Sequence, residues 1–249
     1  MSATAFATFD RSRERISKKW RLSYNPVTTT LFITVPTGPH EKMHGGMNEA
    51  ISNCIRNMGT PGWDWLHAKA FTSEHGNGSS QPDMCGLPDP PARGLDGWPT
   101  LVIEAGYAQS LSQLRAKMEW WFRESSHQVK IVILVKTNLN QRTIIIEKYT
   151  ENWVAGPPPP PRLGATTRAV AAAIAAAAGT YNKERRQLTI TYNADTDPLI
   201  PQSHDPIRDV PLRLEFSLLF LRPPGPGEGD VVITRQQFQY YASRVWRRV

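Results

Sequence analysis

The sequence predicts an α/β (α+β) fold, a central mixed sheet flanked by helices. Two runs, Thr100 to Glu104 and Lys130 to Val135, are short and almost continuously apolar, the pattern of central strands covered on both faces. Between them, Ser110 to Phe122 places Leu111, Leu114, Met118, Trp121 and Phe122 on one face of a helix. The chain has 249 residues and 40% apolar content, enough for one large domain or a domain with a subdomain.

The remaining elements follow in order. Arg11 to Arg21 is a basic run, expected as a solvated helical arm within residues 1–20; its functional alternatives are phosphate tracking or a nuclear address. Arg21 to Tyr24 and Thr29 to Val35 alternate around Asn25-Pro26, which predicts a β-hairpin. Met43, Met47, Ile51, Cys54, Ile55 and Met58 recur at helical spacing and predict a helix over His40 to Met58, with its methionines in the core. Gly62 to Thr72 is expected as a strand, and Ser73 to Ser80 as a turn or loop. Cys85 to Gly97 is expected as a proline-rich loop. Thr143 to Glu147 continues the sheet. Pro157 to Pro161 must be polyproline II, either a semi-rigid spacer or a ligand for an SH3 or WW type domain. Arg162 to Thr180 is alanine-rich and expected to be helical. Gln187 to Tyr192 and Leu212 to Leu221 are expected strands, and Arg235 to Arg247 a closing helix. The chain thus divides into an arm (1–20), a core (21–155), a Pro/Ala-rich insertion (156–210), and a C-terminal strand and helix (211–249) that complete the core.

A net charge of +7 and a sequence pI near 9.6 favour a polyanionic partner such as nucleic acid. Cys54 and Cys85 form neither a disulfide framework nor a zinc pattern, which fits a reduced intracellular compartment, nuclear or cytoplasmic. No secretory h-region is visible, and Ala169 to Ala178 is too short to span a bilayer, so no membrane association is expected. Of the histidines at 40, 44, 67, 75, 127 and 204, His40 and His44 are four apart, and all six are taken as structural or exposed.

The chemistry rests on two carboxylates. Glu104 closes a Leu-Val-Ile run, where desolvation calls for a partner such as a metal or a lysine. Asp83 lies on a turn in Gln81-Pro82-Asp83, just after an expected strand, and is preferred over Asp89, which sits between prolines. Two carboxylates at one sheet edge suit a hard divalent cation, Mg²⁺ or Mn²⁺. On a basic chain this points to phosphodiester chemistry.

The Pro-Asp, the apolar strand Trp98 to Glu104, the helix after Gln109-Ser110 with Leu114 and Trp120-Trp121, and the strand Val129 to Leu134 form an ordered set. That set resembles the PD-(D/E)xK, or restriction-endonuclease-like, nuclease superfamily, and more closely a fungal group within it. The likeness covers about two thirds of the chain, extending weakly to Arg21 to Tyr24, Pro36 to His40 and Leu214 to Arg222. The resemblance implies a mixed sheet of four or five strands, a metal held by Asp83 and Glu104, and a lysine beside the attacked phosphate. The family's usual lysine position, two residues after the Glu, is Gly106 here. Some members carry it on the next helix, which points to Lys117, with Arg115 as a fallback cation. The resemblance also implies a further acid from the first core helix, Glu49 ahead of Glu41. Gln109 is a candidate to orient water or a phosphate oxygen. Nucleic acid is the implied partner, with a homodimer where duplexes are cut. A nuclease fold without activity, serving as a binding or interaction scaffold, is the alternative.

Overall fold

The computed structural model describes residues 20–26, 29–35, 37–59, 62–66, 70–73, 78–89, 93–94, 97–156, 179–191 and 211–247, together with 4–6, 8, 9 and 12. The five-proline run, most of the alanine-rich segment and nearly all of the N-terminal basic run lie outside the described residues.

The central sheet has six strands. They are β3 (Trp63–Leu66), β6 (Met84–Pro88), β7 (Leu101–Gly106), β8 (Ile131–Asn138), β9 (Thr143–Val154) and β10 (Thr180–Thr191), in the order β10-β9-β8-β7-β6-β3. Only β7 and β8 run parallel; the other neighbours are antiparallel. β1 (Arg21–Asn25), β2 (Thr30–Thr34), β4 (Phe71–Thr72) and β5 (Ser79–Ser80) make a smaller four-stranded sheet.

The alternation of the two central strands sorts the core into two halves. Leu101, Ile103, Ala105, Ile131, Ile133 and Val135 face one side; Val102, Val132 and Leu134 face the other. On the first side lies α1 (Gly38–Asn57), which buries Met43, Met47, Ile51 and Ile55. Pro39 occupies its first turn, where a missing N–H costs nothing. On the second side lies α2 (Leu111–Glu124), which buries Leu114, Met118, Trp121 and Phe122. Its start is set by a capping box between Ser110 and Gln113.

β11 (Leu212–Leu214), the short α3 (Phe216–Phe220), β12 (Val231–Ile233) and α4 (Arg235–Trp246) close the first side. β11 and β12 pair antiparallel. A Thr234–Gln237 capping box begins α4. Tyr241 on α4 donates to the Met43 carbonyl at 3.0 Å, and a Cβ at Gly46 would stand 2.9 Å from the Tyr241 ring. The two helices therefore approach closely because position 46 carries no side chain.

Several expectations are corrected. The sheet has six strands rather than four or five, because β3 adds at one edge and β10 at the other. Gly62 to Thr72 is two strands in different sheets. The expected loop from Cys85 begins as the fully buried strand β6. Its glycine is structural: a Cβ on Gly86 would lie 2.5 Å from the Trp63 ring. Leu212 to Leu221 is a strand only to Leu214 and then turns helical. Phe216 and Phe220, four apart, fit helical as well as strand spacing, and Asp230 Oδ1 accepts the Phe216 N–H at 2.8 Å. β10 lies inside the expected insertion yet completes the main sheet, pairing with β9 over twelve residues.

Candidate functional site

The parallel pair β7–β8 ends where side chains from five elements converge. β6 and β7 are in antiparallel register with Met84 beside Ile103, and continuing that register one step sets Asp83 beside Glu104. The two carboxylates therefore stand at the carboxyl end of β7, where open α/β sheets place their ligands.

Glu104 is completely buried and faces α2. Its Oε2 accepts from Lys117 Nζ at 3.0 Å, and its Oε1 from Trp121 Nε1 at 2.8 Å. Lys117 comes three residues after Leu114 and four before Trp121, so the helical phase that buries those two also aims the lysine at the strand end. Gly106 explains why the cation comes from the helix. A Cβ there would lie 2.7 Å from Leu114 Cδ1 and 3.2 Å from Leu114 Cγ, and Leu114 is fully buried. No side chain fits at 106 without displacing that leucine.

Asp83 is held from three directions. Oδ1 accepts from Arg21 Nη1 at 2.9 Å; Oδ2 accepts from the Ala105 N–H at 2.7 Å and contacts His40 Nε2 at 3.1 Å. Arg21 also reaches Glu41 Oε1 at 3.2 Å and His44 Nε2 at 3.4 Å. His40 contacts the Ala105 carbonyl at 3.1 Å.

The electrostatics separate the two acids. Burial raises the Glu104 carboxyl above its ordinary range, and the Lys117 charge only partly opposes this. Burial pushes Asp83 the same way, but the His40 hydrogen bond and the charges of Lys117, His40 and Arg21 outweigh it and hold Asp83 well below the usual carboxylate range. For Lys117, burial favours the neutral amine, yet the charges of Glu104 and Asp83 win and raise its pKa. Lys117 is thus a cation at neutral pH, not a base.

The other candidates are placed as follows. Gln109 lies before α2, its Oε1 buried without a hydrogen-bond partner. With Lys117, Ser23, Tyr24, Gln113 and Trp120 it lines a groove of about 420 Å³. Arg115 is committed to Glu147, at 3.0 Å and 2.5 Å. Asp89 is at the opposite end of β6 from Asp83, which decides between them. Glu49 is a correction. It lies eight residues beyond Glu41, about 12 Å along α1, and pairs at the surface with Arg244 at 2.7 Å. Glu41, the second candidate, is the α1 acid that reaches the Asp83 cluster through Arg21.

His40 and His44 are also corrected in part: they are buried, as a structural role requires, but they form the wall of this site. Residues 40–44 read His-Glu-Lys-Met-His, a metal-ligand pattern in the sequence, and that was the available signal. Arg21 had no signal beyond its place at the start of a hairpin. Lys183 pairs with Glu119 at 2.7 Å and Arg185 with Glu147 at 3.4 Å, so these basic residues are partly neutralised within the fold.

No protein-family model matches the chain, and no curated protein matches it. Among the described residues, no helix is long and apolar enough to cross a membrane.

Proposed function

We propose that this chain is a metal-dependent nuclease-like protein of the restriction-endonuclease-like class, hydrolysing phosphodiester bonds of nucleic acid. The observation that carries the reading is the Lys117–Glu104 contact at 3.0 Å with Asp83 beside it. That arrangement supplies an acid pair and a lysine at one strand end, with the lysine delivered from the helix.

An all-oxygen donor set, the carboxylates of Asp83 and Glu104, suits Mg²⁺ or Mn²⁺. Such an ion, when bound, acts as a Lewis acid on the phosphate and on the attacking water. The chain's own residues do the rest. Lys117, charged and lining the groove, neutralises the phosphate oxygens. Gln109, with a free buried acceptor, orients the attacking water from the same groove. Trp121 and the Ala105 N–H hold Glu104 and Asp83 in place. Trp120, partly exposed, gives the groove an aromatic surface against which an unstacked base can rest.

The specific observation favouring the alternative, an inactive nuclease-fold scaffold, is that both acids are already satisfied. The Asp83 side chain is 1% exposed and that of Glu104 0%, each balanced by protein cations. Two such carboxylates are stable with no ion at all.

Cleavage of single- and double-stranded DNA and RNA under Mn²⁺, Mg²⁺ or EDTA separates the two. Metal-dependent cutting by the wild type, lost in Asp83→Ala and Glu104→Ala, supports the nuclease. A folded protein that cuts nothing supports the scaffold.

A further inference from the structure

We propose that His40 Nδ1, Glu41 Oε1 and His44 Nε2 form a second cation site, selective for a divalent transition metal of the zinc, cobalt or manganese class. The inference does not rest on hydrolysis by the Asp83–Glu104 pair.

The three residues gather one ligand atom each within 4.8 Å of one another, and Glu41 Oε1 lies 3.7 Å from His40 Nδ1 and 3.2 Å from His44 Nε2. Four ligands at about 2.1 Å around one ion stand roughly 3.4 Å apart, so the set needs only a small contraction. Among the described residues no other trio of His, Cys, Asp or Glu is gathered this closely.

The state of the His40 ring supports a ligand role. Its Nε2 lies 3.1 Å from two acceptors, Asp83 Oδ2 and the Ala105 carbonyl, so the proton belongs on Nε2. Whenever the ring is neutral, Nδ1 is then a bare lone pair open to a cation. It is buried, makes no hydrogen bond, and stands 3.7 Å from Glu41 Oε1. The Asp83–His40 contact is the carboxylate–histidine pairing that fixes a metal ligand's tautomer.

His44 presents its Nε2 to the same oxygen, at 3.2 Å. Here the protein supplies a cation of its own. Arg21 Nη2 lies 3.2 Å from Glu41 Oε1 and 3.4 Å from His44 Nε2. The guanidinium occupies the side of the cluster that an ion needs, so Arg21 and the metal compete. Glu41 is about half exposed and provides the way in. Two imidazoles select against Mg²⁺, which demands oxygen ligands, and in favour of softer ions.

The test is a cobalt titration followed by visible absorption, with folding checked by circular dichroism. One Co²⁺ per chain is expected to give a ligand-field band that Zn²⁺ removes and a large excess of Mg²⁺ does not. His44→Gln and His40→Gln are expected to weaken binding at least about ten-fold, and Arg21→Gln to tighten it. Glu104→Gln is expected to keep the band, so loss of cleavage alone cannot be mistaken for loss of this site. The wild type provides a check free of folding effects: Zn²⁺ should slow carbethoxylation of His40 and His44, mapped by mass spectrometry. No band in the wild type, a band unchanged in folded His44→Gln, or no protection by Zn²⁺ overturns the proposal.

Discussion

Lys117 Nζ lies 3.0 Å from Glu104 Oε2, although the two are thirteen residues apart and on different elements. The pair joins a strand end to the middle of a helix and buries a carboxylate that the sheet alone could not accommodate. Removing one partner leaves the other charge unbalanced. Lys117→Met is expected to destabilise the fold by about 3 kcal/mol, and Lys117→Met with Glu104→Gln by clearly less than the two singles summed. Urea unfolding of the four proteins in the cycle measures this; additive losses would show that the contact is not a coupled pair.

Glu104 has a second donor in Trp121. Trp121→Phe keeps most of the buried ring and deletes only the indole N–H. A loss of about 1–3 kcal/mol is expected from the unsatisfied carboxylate oxygen. Trp121→Phe in the Glu104→Gln background should lose less, because a neutral amide tolerates the missing donor better. Thermal unfolding of the same set would reveal it.

Moving the lysine to position 106, two residues after Glu104, is expected to fail. Gly106→Lys must push Leu114 aside, an overpacking that costs about 1–3 kcal/mol. Combined with Lys117→Ala it should not restore a cation beside Glu104. Leu114→Ala should relieve part of the Gly106→Lys defect, and a chevron or urea midpoint would detect that relief.

How much of this was legible beforehand can be argued residue by residue. Glu104, α2 and the parallel pair were legible because period-2 and period-3.6 patterns declare burial directly. Lys117 was singled out only by the resemblance, which puts a lysine on the helix after the strand; the sequence alone allowed a solvent-facing lysine equally well, and its phase on α2 beside Leu114 and Trp121 is what the structure adds. Glu49 was misplaced because nothing local says which turn of α1 passes the strand end; that depends on α1 packing against α4. His40 and Arg21 meet Asp83 only through contacts 43 and 62 residues apart in sequence, and His44 joins them through Glu41 and Arg21, so their place in the site depends on tertiary packing. The helical turn after Leu214 was hidden because Phe216 and Phe220 suit either period.

The correction at Glu49 carries its own expectation. An exposed Glu–Arg pair contributes at most about 1 kcal/mol. Glu49→Ala is therefore expected to shift stability by no more than that and to leave metal-dependent cleavage at the wild-type level. A large loss of cleavage would return Glu49 to the site.

Acid should act on Asp83 with a defined sign. Its carboxyl is held below the unfolded value near 3.9, despite burial, by His40, Lys117 and Arg21. Such a group contributes stability above the unfolded pKa, and that contribution fades as pH falls below it, because only the unfolded chain takes up the proton. The stability advantage of wild type over Asp83→Asn is expected to shrink steadily from about pH 5 downwards. Unfolding free energies across that range would show the convergence, and a gap independent of pH would contradict it.

Among the described residues, β10 is the outermost strand of the central sheet. Residues 180–187 of that strand are exposed and carry Lys183, Glu184, Arg185 and Arg186 in succession. A neighbouring strand seeking to extend the sheet would have to dock against this charged run, with mutual repulsion between any two copies. The opposite edge, β3, is only four residues long. A charged edge at one end and a short edge strand at the other, among the described residues, both oppose growth into a continuous cross-chain sheet.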